Sequence, residues 1–232
     1  MQTPGAHQTD SDTTPGRITS PLPTIWGTPL GPFGTNCYVI SVPERTPCWI
    51  IDASFEPRPL IEHVRAAQLE PEALILTHAH IDHIAGLDEI RRAFPGLPVL
   101  IHQAEAAWLA DPVLNLSEPF GEPFTTKPAE RLLQGDETLT LVGSTWNILH
   151  TPGHSPGGIT LWCPSARFAV VGDTLFNGSI GRHDFPTSDP KALTHSIRHV
   201  LYALPEDTRV YCGHGPSTSI AQERRSNPFV RP

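Results

Sequence analysis

A chain of 232 residues with 38% hydrophobic side chains is long enough for one well-buried core and short for two ordinary domains. Its formal net charge of −8 gives no electrostatic reason to bind phosphate backbones or anionic lipid, so neither nucleic acid nor membrane is an expected partner. No apolar run approaches the ~20 residues of a spanning helix, and the start "MQTPGAHQTDSDTTPG" lacks the charged opening and apolar core of a signal peptide, which points to the cytoplasm.

Residues 1–23 are rich in Thr, Pro, Ser, Gly and Asp. Such a tail cannot offset its ordering entropy by burial, so disorder is expected there and a single domain over 24–232. From Ile25 onward, short β-branched runs bounded by Gly, Pro, Asn or Asp predict strands: "NCYVISV", "PCWIID", "ALILT", "PVLI", "WNILH", "ITLW", "FAVVGD" and "RVYCG". Helical stripes lie between some of them, first Leu60, Ile61, Val64 and Gln68, then Ile84, Leu87, Ile90 and Phe94. A third runs through Leu193, Ile197, Val200, Leu201 and Leu204, with Asp189 as its cap and Pro190 in its first position. The mixed order gives an α/β or α+β class without fixing the topology. Cys37, Cys48, Cys163 and Cys212 stand singly among apolar neighbours with no C-x-x-C spacing, and are expected to be buried reduced thiols.

The stretch "LTHAHIDHIAG" concentrates chemistry. The apolar run Ala73 to Leu76 is a buried strand, so His78, His80, Asp82 and His83 fall on the loop leaving its C-terminal end, with a helix expected from Ile84. His78 and His80 are two apart and project to one side of extended backbone, unlike the four-apart pair of a helical H-E-x-x-H site. Three later loops each add a ligand type at a strand end, His154 in "HTPGHSPGG", Asp173 in "VVGDTLF" and His214 in "YCGHGP". Glycines beside them allow close backbone approach. Two metals with N and O donors need about seven or eight filled positions, which this set nearly supplies.

With "THAHIDH", "HTPGHSPGG", "GDTLFNGSIGR", "CGHGP" and a final "NPFVR", the chain from about Ile25 to Arg231 resembles the metallo-β-lactamase superfamily, and within it the short hydrolases like glyoxalase II (hydroxyacylglutathione hydrolase). The resemblance implies a four-layer αββα sandwich with the site at one edge. It implies two divalent ions, zinc by preference with iron or manganese also suited, one held by His78, His80 and His154, the other by Asp82, His83 and His214, with Asp173 bridging. Two such ions about 3.5–4 Å apart share a hydroxide and polarise a carbonyl, so no serine or cysteine nucleophile is required. Asp82 would orient the nucleophile or pass a proton to the leaving group. The implied reaction is hydrolysis of thioesters of small acids, of the S-lactoylglutathione type.

Departures from the resemblance bear on substrate. Zinc β-lactamases carry Cys or Ser where Asp173 stands, and the RNA-processing members carry an inserted domain and a basic face, so both activities are disfavoured. "GRHDF", Gly181 to Phe185, matches the persulfide dioxygenase branch, which uses a single iron and remains an alternative beside a lactonase. A metal-binding homologue without catalysis is a further alternative, disfavoured by the complete ligand set. The chain given ends 18 residues after His214, so the glutathione contacts of a C-terminal helical domain cannot be carried over. Arg182 matches a basic position near the substrate and His183 departs from the usual Thr or Ser; both are candidate substrate contacts. Asp52, at the end of "CWIID", is a candidate partner for a ligand histidine. His195 and His199 are expected on a solvated helix face, His63 on a polar one, and His102 and His150 at strand ends.

Overall fold

A computed structural model describes residues 21–232. Residues 1–20 of the expected tail, with His7, lie outside the described residues. In the strands neighbouring side chains point to opposite faces, and both faces are covered. Ile40, Ile51 and Ile75 enter one hydrophobic cluster, while their chain neighbours Val39, Ile50 and Leu74 enter another.

The first sheet has six strands in sequence order: β1 (Thr24–Leu30), β2 (Thr35–Ser41), β3 (Pro47–Ile51), β4 (Glu70–Ile75), β5 (Val99–His102) and β6 (Arg131–Leu133). β1, β2 and β3 pair antiparallel, and β3 to β6 pair parallel. The second sheet contains β7 (Glu137–Leu141), β8 (Ser144–His150), β9 (Ile159–Cys163), β10 (Phe168–Gly172), β13 (Arg209–Cys212) and β14 (Thr218–Ser219), in the order β14-β13-β10-β9-β8-β7. A two-stranded hairpin, β11 (Leu175–Phe176) and β12 (Ser179–Ile180), stands apart.

Three cores separate four layers. Helices α1 (Arg58–Ala66) and α3 (Leu87–Ala93) put Leu60, Val64, Leu87 and Ile90 against the outer face of the first sheet. Between the sheets, Ile40, Ile51 and Ile75 meet Trp146, Ile148 and Leu161. On the far side, Leu193 of α4 (Pro190–His195), Ile197 and Leu201 of the π-helical turns Ser196–Leu201 that continue it, and Ile220 of α5 (Ile220–Ser226) cover Ala169 and Val171. The expected αββα sandwich is the architecture observed. Asp189 caps α4 through the N–H groups of Lys191 and Ala192, and His195 and His199 are exposed on its opposite face. All four cysteines are buried and free. Among the described residues no helix is long and apolar enough to cross a membrane.

Two boundaries differ from the sequence pattern. Helix α1 ends at Ala66, and Gln68 leaves it with φ 53, off the expected stripe. The helix after β4 begins at Ile81, not Ile84 (α2, Ile81–Ile84), because the Ile81 N–H donates to the carbonyl of Asn115 on a distant loop and the chain turns helical early. Asp82 and His83 therefore sit on a helical turn. At the sheet edge β2 joins the two sheets: Thr35 bridges His214, the Asn36 N–H donates to the Gly213 carbonyl at 2.7 Å, and Tyr38 Oη donates to the Cys212 carbonyl at 2.6 Å.

The layer between the sheets sets a stability contrast. Ile75 is 0% exposed and Leu132 49%. Ile75→Ala is expected to cost about 2–5 kcal/mol in denaturant unfolding and Leu132→Ala no more than about 0.5 kcal/mol. Equal losses would remove the inter-sheet layer as the dominant core.

Candidate metal centre

Four C-terminal strand ends converge where the sheets meet. His78 and His80 follow β4, and Asp82 and His83 follow on α2. His154 lies in the connection between antiparallel β8 and β9. Asp173 follows β10 and His214 follows β13, and because these strands pair parallel with Gly172 opposite Cys212, their exits lie side by side. Residues leaving parallel strands at the carboxyl end are the usual site-bearing positions of such sheets. Two glycines are required here. Gly172 has φ 52, and a Cβ at Gly213 would overlap the Asp173 carboxylate.

His78, His80 and His154 form one group of potential ligand atoms, Asp82, His83 and His214 another, and His78, His83 and Asp173 a third; within each, the atoms lie within 4.8 Å of one another. Asp173 touches both sides: Oδ1 is 3.4 Å from His83 Nε2, and Oδ2 is 3.3 Å from His214 Nε2 and 3.7 Å from His154 Nε2. Asp82 Oδ2 lies 3.1 Å from His214 Nε2 and 3.4 Å from His83 Nε2, and accepts from Thr35 Oγ1 at 2.8 Å. This cluster of histidines and aspartates suits a dinuclear metal site. Nε2 of His78 and His83 and Oδ1 of Asp173 are buried without a hydrogen-bond partner, and each such atom costs roughly 1–3 kcal/mol unless something satisfies it. His80 Nδ1 and His154 Nε2 face each other at 2.9 Å, closer than two lone pairs settle without a proton or cation between them. Nitrogen and carboxylate donors together fit borderline divalent ions.

The electrostatics divide the histidines. Burial pushes His78 well below its usual pKa and His80 down to about 3, helped by neighbouring imidazoles, so both present lone pairs at neutral pH. Burial also acts to lower His83 and His214, but carboxylates outweigh it. Asp82, Asp173 and Asp52 raise His83 well above its usual value, and hydrogen bonds to Asp173 and Asp82 raise His214 to about 10. Burial would raise Asp82, yet His83 and His214 hold it down at about 2. Without metal, the carboxylates are thus neutralised by protons on His83 and His214.

Hydrogen bonds outside the cluster fix the rings. Asp52, with φ 60, accepts from the Thr77 N–H, from Thr77 Oγ1 and from His83 Nδ1, each at 2.8 Å. His83 Nε2 is thereby turned toward Asp82 and Asp173. His154 Nδ1 donates to the Arg182 carbonyl at 2.7 Å. Glu105 is the residue the sequence did not single out. It is 0% exposed on a 3₁₀ turn (Gln103–Ala110), and its two oxygens accept from the Ala79 N–H and the Gly157 N–H, both at 2.6 Å. It ties the loop of His78 and His80 to the loop of His154, and burial raises its pKa. The available signal was a lone acid in the otherwise apolar run Ala104 to Leu109.

The pocket over the cluster has a volume of ≈ 330 Å³ and is lined by His80, Asp82, His154, Asp173 and His214 together with Phe33, Ile81, Leu116, Phe176, Arg182 and Phe185. The Arg182 side chain is 61% exposed, paired with Asp184 and stacked 4.3 Å from the Phe185 ring. His183 does not line this pocket: it is exposed, and its Nδ1 lies 3.2 Å from the Gly181 carbonyl. Of the other histidines, His63 stacks on Trp26 at 3.8 Å, and His102 on His150 at 4.2 Å.

Metal must displace the protons on His83 and His214, so loading at pH 7 is expected to release on the order of two protons. The calorimetric heat of zinc binding to chelator-treated protein should then vary with the buffer's ionisation enthalpy, and affinity should rise with pH until His214 deprotonates near 10. Heat independent of buffer would contradict that charge state. Glu105→Gln keeps the size but turns an amide NH₂ toward one of the two N–H donors. Chelator competition should show metal affinity falling by about 10–100-fold; unchanged affinity would reduce Glu105 to a packing role.

Comparison with known proteins places these features in a family. The family model described as "Metallo-beta-lactamase superfamily" matches residues 30–214. "Probable metallo-hydrolase YqgX" of Bacillus subtilis is 40% identical over 203 residues, covering 87% of this chain and 95% of that protein. "Hydroxyacylglutathione hydrolase GloC" of Haemophilus influenzae is 36% identical over 204 residues, covering 87% and 95%. Among solved structures, BLEG-1, described as a B3 metallo-beta-lactamase, superposes with TM-score 0.85 at 42% identity, covering 89% of this chain and 99% of that one. TTHA1623 in a di-iron-bound form gives TM-score 0.77 at 36% identity, covering 88% and 100%. The chain belongs to the metallo-β-lactamase superfamily and carries the fold of its metallohydrolases.

Proposed function

We propose that the chain is a dinuclear metallohydrolase that cleaves thioesters of small hydroxy acids, S-lactoylglutathione among them. The observation that carries this is the position of Asp173, whose carboxylate is shared between the three-histidine group and the Asp82–His83–His214 group. His78, His80 and His154 would hold one ion, Asp82, His83 and His214 the other, and Asp173 both. Bound there, two divalent ions supply Lewis-acid polarisation of a carbonyl and a lowered pKa for water. The likeness to GloC, 36% identical over nearly its whole length, supports a thioester as substrate.

The chain's own groups do the rest. Asp82 lines the pocket with its side chain 16% exposed and one oxygen held by Thr35 and His214, placed to orient water and accept its proton. A thiolate departs without strong acid assistance, because thiol pKa values lie near ~8.5. Asp52 holds the His83 ring through Nδ1, and Glu105 holds the backbone of the loops that carry His78, His80 and His154. Arg182 is paired with an exposed partner, and surface pairs of that kind are weak, so its guanidinium can exchange Asp184 for an oxygen of the substrate's acyl group. Buried free cysteines suit a reducing cytoplasm, where we place the chain.

A second reaction is favoured by a specific likeness: BLEG-1 is described as a B3 metallo-beta-lactamase and is 42% identical to this chain. β-Lactam opening therefore belongs in the same assay, beside a homoserine lactone and glutathione persulfide with oxygen. Elemental analysis is expected to approach two metal ions per chain. Asp173→Ala should lower kcat/KM for S-lactoylglutathione by at least about 100-fold, and His195→Ala by no more than about twofold. Efficient β-lactam or lactone turnover without thioester turnover would replace the substrate. One tightly bound iron with oxygen uptake would replace the reaction.

A further inference from the structure

A second cavity adjoins the metal pocket. It has a volume of ≈ 820 Å³ and shares Phe33 and Ile81 with the first, so the two meet at these side chains. Ile81 lies between His80 and Asp82 in the chain, and the groove therefore begins one residue from the ligands on either side. Its walls are aromatic. Phe33 stands 43% exposed on the turn between β1 and β2, with Phe55 at 6.2 Å between ring centroids, and Phe124 faces the same space from the loop after the turn Glu118–Phe120. The only charged side chains among the described residues lining it are Glu56 and Glu122, both exposed. Arg182, the one Arg or Lys among the described residues lining either cavity, lines the metal pocket and not this groove.

That composition selects against glutathione. The glutathione arm of a thioester carries two carboxylates and one ammonium, and a groove with two carboxylates and no cation repels the first more than it attracts the second. An aromatic or alkyl arm gains instead, because enclosing it removes apolar surface from water. We propose that this groove seats the thiol-side arm of the substrate, and that the arm it selects is apolar and carries no negative charge. The proposal rests on the thioesterase reading for the position of the scissile bond, and adds the class of thiol. Adjacency to the metal pocket makes a substrate arm, and not a separate effector, the occupant: whatever enters here lies beside the reacting carbonyl.

The test uses the full-length metal-loaded protein and four lactoyl thioesters of alkanethiols, those of 2-phenylethanethiol, N-acetylcysteamine, 3-mercaptopropionate and glutathione. KM is expected to be lowest for the phenylethyl compound and highest for the two anionic ones, with kcat varying much less. Phe124→Ala should raise KM for the phenylethyl thioester about tenfold more than for the N-acetylcysteamine thioester. Phe33→Ala, on an exposed ring, carries the same comparison where Phe124→Ala fails to fold. Glu56→Gln with Glu122→Gln should lower KM for the mercaptopropionate thioester by about threefold, and less at high salt. A lowest KM for the glutathione thioester, or a Phe124→Ala effect equal across all four, would overturn the proposal while leaving thioester hydrolysis intact. Calorimetric binding of non-hydrolysable thioethers with the same four arms separates the two. Selective binding of the phenylethyl thioether, lost in Phe124→Ala, with no thioester turned over, would retain the groove and refute the reaction; no preference among the arms would refute the groove.

Discussion

Five imidazoles and two carboxylates are packed into one seam between the sheets, most of them buried, and nothing on their own chains lets them avoid one another. Buried groups this close must be balanced by protons or cations. The surrounding structure is arranged so that both are possible. His78 and His80 are kept neutral by burial and by one another, whereas His83 and His214 hold protons that carboxylates within 3.4 Å stabilise. The same geometry that raises the pKa of His214 would leave its Nε2 available to a metal that supplied the positive charge instead. Stability and metal affinity are linked in this way, because an ion that binds only the folded cluster adds its binding free energy to folding.

Holding that seam is the task of the sheets. The parallel register of β10 with β13 sets Asp173 beside His214, and that of β3 with β4 sets Asp52 beside Thr77. Three cores fix these registers, since a slip of one residue would exchange Ile51 with Ile50 between clusters. Thr35 and Asn36 then close the seam across the two sheets, at His214 and Gly213. A positive φ at Asp52 is retained because its carboxylate accepts three hydrogen bonds that no glycine could replace.

The seven ligand-type residues were legible in the sequence because each stands at a strand exit or on the short turn that follows one, and a strand exit is visible as an apolar run followed by a break. Asp52 was legible for the same reason. Glu105 and Thr35 were not: their partners lie 26 to 52 residues away for Glu105 and 47 for Thr35, and no local pattern encodes a contact made across elements. The early start of α2 was hidden likewise, since Asn115 on a remote loop accepts the Ile81 N–H. His183 shows the opposite limit. Its departure from the Thr or Ser usual at that position suggested a substrate contact, but Arg182 lines the pocket whereas His183 is exposed with Nδ1 3.2 Å from the Gly181 carbonyl.

Chemistry and selectivity come from different parts of the chain. The ligand-type residues stand at strand ends and on one short helix, whose positions the cores dictate. The groove walls stand on connections: Phe33 on the β1–β2 turn, Phe55 and Glu56 before α1, and Glu122 and Phe124 on the loop between the 3₁₀ turn and β6. Connections accept substitution without disturbing the sheets, so the wall residues can change charge while the metal cluster stays as it is. Relatives that share this fold and bear names as different as GloC and BLEG-1 are what such a division allows. For this chain the division gives a definite polarity: a metal pocket with one exchangeable cation at Arg182, opening into an aromatic groove bordered by carboxylates. On the proposed reading, a lactoyl thioester of an apolar thiol matches both halves at once, whereas the two carboxylates of a glutathione arm would meet Glu56 and Glu122.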